Sequence, residues 1–220
     1  MKTTIARKTL MALTGLFLCL FLTVHLLGNL QLFLPAGQAR LQFNWYAETL
    51  SSFFVIEIAA IVTYVAIVAH TILAAVLSMR NRQAAGDRYL ADSATASQGP
   101  WYSRFMGLMG AVILVFLIVH MSDFWYPFKT GAEIGIDTAG RRDLYGLVAM
   151  EFQQLWKIAL YELGVLALGF HLLHGFYSGL RSLGVHHHGY ARGLRWLGSA
   201  FAAILTLGFG AMPLYLFFTQ

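Results

Sequence analysis

LMALTGLFLCLFLTVHLLGNLQLFL, residues 10–34, contains no Asp, Glu, Lys or Arg and a single histidine, His25. A run of this length and composition crosses a hydrocarbon core of ~30 Å as a helix rising ~1.5 Å per residue. Four further runs read the same way, at residues 53–79, 105–126, 156–180 and 194–218. The chain is therefore expected to be an all-α integral membrane protein with five transmembrane helices, forming one domain over residues 1–220.

Composition agrees. Of 220 residues, 58% are hydrophobic and 11% charged, with a mean hydropathy of +0.64. A soluble domain carries about a quarter charged residues. The pI near 9.5 does not point to nucleic acid, because the basic residues flank the helices instead of forming one patch. Cys19 stands alone, so neither an internal disulfide nor a chain-borne iron–sulfur cluster is expected. The start, MKTTIARK, resembles a signal peptide, but the following apolar run is too long and lacks a small-residue cleavage site. The first helix is read as retained.

The Lys and Arg residues divide unevenly. Lys2, Arg7, Lys8, Arg80, Arg82, Arg88, Arg104, Arg181, Arg192 and Arg195 fall on one side, and Arg40, Lys129, Arg141, Arg142 and Lys157 on the other. This bias places the N-terminus in the cytoplasm and the C-terminus outside. Residues 81–103, with Gly99-Pro100, read as a polar inner connection, and residues 127–152, beginning at Pro127, as a turn-rich outer linker. Pro35 and Gly37 read as the end of the first helix. Trp45, Trp101, Trp125, Trp156 and Trp196 lie near helix ends, as interfacial anchors do.

The first four helices carry His25, His70, His120 and His171. An imidazole in the membrane interior is costly and needs a partner. Measured from Lys8 and Arg104, His25 and His120 lie about 25 Å from the inner end; measured from Arg80 and Arg181, His70 and His171 lie about 15 Å from it. In an up-down-up-down bundle the first and third helices are diagonal, as are the second and fourth. The depth pairs are thus the diagonal pairs, an arrangement that would enclose two haems b, each held by two axial histidines and offset along the axis by about 10 Å. A lone histidine of this kind is commonly a helix–helix hydrogen bond; two matched pairs argue for metal. Zinc is disfavoured, since no carboxylate or thiolate lies near either pair. Gly15, Gly28, Gly107, Gly110, Gly164, Gly169 and Gly175 are candidates for making room. His174 competes with His171, which matches His70 better in depth and has Gly175 four residues later. His186, His187 and His188 read as a solvated loop cluster.

At HLLGNLQLF (25–33), HMSDFWYPFK (120–129) and HLLHGFYSGLRSLG (171–184) the chain resembles the di-haem cytochrome b membrane anchor of succinate:quinone oxidoreductase and fumarate reductase, respiratory complex II. More narrowly, it is similar to the version with one five-helix anchor polypeptide, over essentially all five helices. The resemblance implies His25 and His120 as ligands of the outer haem and His70 and His171 as ligands of the cytoplasmic-side haem. The first His of an H-x-x-x-G pattern is the ligand in that family, which favours His171 over His174. It also implies a flavoprotein subunit with covalent FAD and an iron–sulfur subunit with three clusters, both docked on the basic cytoplasmic face. The implied activity is electron transfer between succinate or fumarate and a membrane quinone, menaquinone, in a bacterial cytoplasmic membrane.

Some menaquinol-using members carry a glutamate two residues before the fourth ligand, where this chain has Gly169. Glu162, on the same helix about 13 Å from His171, reads as an interfacial or outer-cavity carboxylate. The family's outer glutamate for quinol-linked proton exchange corresponds best to Glu48, with Glu57 next. Two other functions remain in view. A haem b anchor of a formate dehydrogenase or hydrogenase would dock its partner outside. A secondary transporter would use broken helices and midplane polar groups, and would be colourless.

Overall fold

The computed structural model describes residues 2–85, 105–132, 134–185, 187 and 189–219. The expected stop at Gly99-Pro100, with Arg88, Trp101, Arg104, His186 and His188, lies outside the described residues.

Five helices are long and apolar enough to cross a membrane: Thr4–Phe33, Phe54–Asn81, Met106–Thr130, Leu155–Ser182 and Ala191–Thr219. They are built from α1 (Lys2–Asn29), ending in a 3-10 turn at Leu30–Phe33; α3 (Phe54–Ala85); α4 (Met106–His120), which continues through a π-turn at Met121–Trp125 into α5 (Tyr126–Thr130); α7 (Leu155–Ser182); and α8 (Ala191–Thr219). Two shorter helices, α2 (Ala36–Ser52) and α6 (Leu144–Glu151), lie in the connections after α1 and α5. No strand is present among the described residues beyond one isolated bridge between Ile136 and Arg142. Phe54, Val55, Leu207 and Phe218 are each more than 70% exposed, an apolar surface that only lipid or another protein can satisfy.

The spans exceed the apolar runs at several ends, because Lys and Arg stems cover apolar surface while their charges reach water, so a helix need not stop where charges begin. Two connections depart further from expectation. Residues 36–52 form a helix instead of a loop: Pro35 ends the first span, but Gly37 lies inside α2, whose buried residues are Ala39, Phe43 and Asn44. Pro127 does not open a loop either. It is buried in the first turn of α5, where its missing N–H and its ring clash with the carbonyl four residues back are relieved by the wider π-turn. The cap of that turn is the five-residue bond from Tyr126 N–H to Met121 O.

The largest helix interface joins α7 to α8; α7 also packs on α4 and α1, α1 packs on α3, and α3 meets α4 only slightly. Three glycines permit close approach. A Cβ at Gly164 would stand 2.5 Å from the Phe116 ring, one at Gly208 2.7 Å from Leu26, and one at Gly28 2.9 Å from Tyr46 of α2.

Candidate functional site: two histidine pairs and a buried ion network

His25, in the last two turns of α1, faces His120 at the end of α4: the ring centroids are 5.9 Å apart and the planes perpendicular, at 90°. Aromatic rings surround this pair. Phe21 stacks on His25 at 5.4 Å, Phe209 of α8 lies 5.7 Å from it, and Phe116, Phe124 and Tyr161 lie 5.6, 5.4 and 6.0 Å from His120. On α3, His70 faces His171 of α7 with centroids 6.2 Å apart and planes at 67°.

The rings in each pair are at the spacing of two ligands on one metal. Two metal–nitrogen bonds of about 2 Å, each with the ring centroid about 1 Å behind the nitrogen, add to about 6 Å. The second ring nitrogens differ. Thr14 Oγ1 lies 3.2 Å from His70 Nδ1 and donates its own proton to the carbonyls of Leu10 and Met11. It is therefore placed to accept from Nδ1–H, which leaves Nε2 with its lone pair free. The Asn29 amide lies 3.4 Å from His25 Nδ1 and donates to the His25 carbonyl at 2.7 Å. His120 Nδ1 and His171 Nδ1 are buried with no hydrogen-bond partner.

Glycines mark the spacing between the pairs. A Cβ at Gly15 would meet His70 Cε1 at 3.1 Å, and one at Gly110 would meet His171 Cε1 at 4.0 Å. Each of these glycines precedes the histidine of the other pair by ten residues on its own helix, so both routes put the pairs about 15 Å apart along the axis. This revises the 10 Å obtained by counting from flanking basic residues, which assumed that those residues all end at one level. A Cβ at Gly107 or Gly175 would meet no atom within 4 Å, whereas the space beside Gly28, Gly164 and Gly169 is filled by Tyr46, Phe116 and Thr206. The latter three serve helix packing.

Among the described residues no group of three or more His, Cys, Asp or Glu side chains could hold a metal ion. The donor set is two imidazoles per site. It leaves a protein-only tetrahedral site incomplete but suits a group that brings its own equatorial nitrogens, as haem does. The residues present fit haem by ring spacing, by the hydrogen-bonded Nδ1 of His70, and by the small residues against the His70–His171 pair. His174 is half-buried one turn on, and no ring contact joins it to His70.

Beside the His25–His120 pair lies a network that sequence reading does not anticipate. Lys157 Nζ lies 2.6 Å from Asp123 Oδ1 and 2.7 Å from Glu151 Oε2. The Tyr161 hydroxyl donates to Asp123 Oδ2 at 3.0 Å. All three charged side chains are at most 15% exposed. From sequence, Lys157 reads as an outer flanking cation and Asp123 only as part of a motif. The available signal is Asp123 at i+3 from His120, with Lys157 and Tyr161 one turn apart.

The expected proton-exchange residue stands elsewhere. Glu48 lies on the exposed face of α2, and among the described residues no contact joins it to His25 or His120. Glu57 is exposed in the first turn of α3. Glu162 is half-buried and points toward α8, where a Cβ at Gly210 would stand 3.1 Å from its Oε2, and its Oε1 is buried without a partner. It occupies the α7–α8 seam, not an outer cavity.

The connections after α1 and α5 are riveted by a second network. Arg40 of α2 pairs with Asp143 through Nη2 and Nε. Asn44, fully buried, donates to Asp137 at 3.2 Å and Asp143 at 2.9 Å and accepts from Tyr145 N–H at 2.9 Å. Burial pushes both carboxyls up. It is the largest single influence on each, but Arg40, the Asn44 amide and the Gly146 N–H together outweigh it at Asp143, and the Arg141 and Ala139 N–H groups, the Asn44 amide and the Arg141 charge together do so at Asp137, so both sit below the usual carboxylate range. Arg40 is correspondingly raised, first by its bond to Asp143.

Comparison of the chain with protein-family models, with curated proteins and with solved structures finds no match. What the chain does rests on its own residues.

Proposed function

We propose that this chain is the di-haem cytochrome b anchor of a succinate:quinone oxidoreductase or fumarate reductase in a bacterial cytoplasmic membrane. One observation carries the reading: two histidine pairs, each contributed by two helices that share little packing with one another, with ring centroids 5.9 and 6.2 Å apart. In this reading the first four spans form a ring in which α1 stands opposite α4, and α3 opposite α7. The main interfaces of α1 with α3 and α7, and of α7 with α4, support it.

Bound haem would supply reversible one-electron chemistry at each pair. The chain's own contribution is to hold and shield it. His25 and His120 take the outer group, His70 and His171 the inner, and Thr14 fixes the His70 ring by accepting from Nδ1–H, an orientation that strengthens a ligating nitrogen. The rings of Phe21, Phe116, Phe124 and Phe209 exclude water from the outer pair. A flavoprotein and an iron–sulfur subunit would dock at the basic, cytoplasmic end and exchange electrons with the inner site, and menaquinone would exchange them with the relay. Quinone chemistry moves protons with electrons. The Asp123–Lys157–Glu151 network beside the outer pair is better placed for that exchange than the exposed Glu48.

The test is the visible spectrum of the purified complex after dithionite reduction. Low-spin b-type bands that His70→Ala halves, leaving a His25/His120 component, support the proposal. A colourless protein would refute it and favour a transporter.

A further inference from the structure

Arg192 and Arg195 sit in the first two turns of α8, where the positive end of the helix dipole disfavours cations. Among the described residues no carboxylate offsets them: α8 contains no Asp or Glu, and the salt bridges involve Arg40, Arg141 and Lys157 instead. The charge is arranged as a site. Arg192, Arg195, Trp196 and Ser199 fall at i, i+3, i+4 and i+7, one stripe of a helix, and together line a cavity of about 180 Å³. All four lining residues belong to α8; the Arg195 guanidinium also lies over the Tyr177 ring of α7, 5.6 Å from its centroid, which holds that arginine against a second span.

The surroundings indicate which anion fits. Trp196 is 72% exposed and Tyr190 48% exposed, as aromatics at the headgroup level are. Past Ser199 the same face continues with exposed Ala200 and Ala203 and then Ile204 and Leu207, 62% and 73% exposed. A basic pocket that opens onto a lipid-facing apolar stripe presents headgroup and acyl-chain contacts in line. A free anion or a peptide has no use for the second half.

We infer that this pocket binds the phosphate of an anionic phospholipid, with Arg192 and Arg195 as its ligands. Arginine forks match a phosphate bidentately, Ser199 Oγ adds a hydroxyl donor, Trp196 sits at the glycerol level, and an acyl chain lies along Ala203 and Leu207. Arginines clustered at the end of a span attract such headgroups.

The experiment is native mass spectrometry of the detergent-purified full chain, titrated with phosphatidylglycerol or with phosphatidylcholine. The wild type should retain phosphatidylglycerol over phosphatidylcholine. Arg192→Gln with Arg195→Gln should weaken that retention roughly thirtyfold, and either alone about fivefold. Millimolar inorganic phosphate should not displace the lipid. Full displacement by phosphate would make this a free-anion site and overturn the lipid assignment. Undiminished retention in the double variant would overturn the site itself. Undiminished retention accompanied by loss of co-purifying soluble proteins would make the two arginines a protein-docking patch instead. If the double variant fails to fold, the single variants carry the test, with Arg40→Gln at the other end of the spans expected to leave retention unchanged.

Discussion

Thr14, from α1, partners His70 of α3, and Asn29 partners His25 one turn before it, while His120 and His171 leave Nδ1 buried and unpaired. The hydrogen bond from His70 to Thr14 fixes a tautomer, so Thr14→Val should weaken haem retention at the inner site about tenfold, read by haem titration of the stripped protein, with the outer site unaffected. Equal loss at both sites would deny Thr14 a specific role. His174→Ala should keep both low-spin signals, whereas His171→Ala should abolish the inner one. Lys157 joins two buried carboxylates, and removing one partner of such a group strands the others, at about 3 kcal/mol. Lys157→Met should therefore lower the thermal midpoint, and adding Asp123→Asn and Glu151→Gln should recover part of the loss. The histidines are legible in the sequence because costly groups are few in apolar runs and a histidine recurs in each of the first four. The ion network is not, because Asp123, Glu151 and Lys157 come from three elements and meet only through the π-turn and the loop before α7.

Five long apolar helices are legible because membrane spans leave little choice: backbone groups in lipid must be satisfied within the helix. The helix α2 is not. Its sequence, AGQARLQFNWYAETLSS, has weak apolar periodicity, and its buried polar residue Asn44 finds partners only in residues 137–145. That network has a pH signature. Asp137 and Asp143 have folded pKa values below the ordinary 3.8, so their contribution is fully present above about pH 4–5 and is lost as pH falls through the lower folded values. Hydrogen exchange in residues 36–52 should be flat from pH 7 to pH 5, after correction for intrinsic rates, and protection should fall only below about pH 4. Loss of protection between pH 7 and pH 6 would assign the cap's stability to another group. At α7, Gly164→Ala places a methyl against the Phe116 ring. Overpacking of this kind costs about 1–3 kcal/mol, and because Phe116 touches His120, the outer haem's EPR signal should broaden while the inner one holds.

Across the whole molecule, charge and chemistry separate by end. The ion networks, Asp123–Lys157–Glu151 and Arg40–Asp143–Asn44–Asp137, occupy the half that holds the His25–His120 pair, while Arg181, Arg192 and Arg195 stand at the other end outside any of the salt bridges formed by described residues. Between them the histidine pairs lie about 15 Å apart, a ladder across the membrane. In the proposed function each rung holds one haem between two imidazoles. Pyridine haemochromogen analysis of the purified chain, quantified against amino-acid analysis, tests this directly. Two b haems per chain are expected in the wild type and one in either His25→Ala or His70→Ala; one haem or none in the wild type would contradict the di-haem assignment.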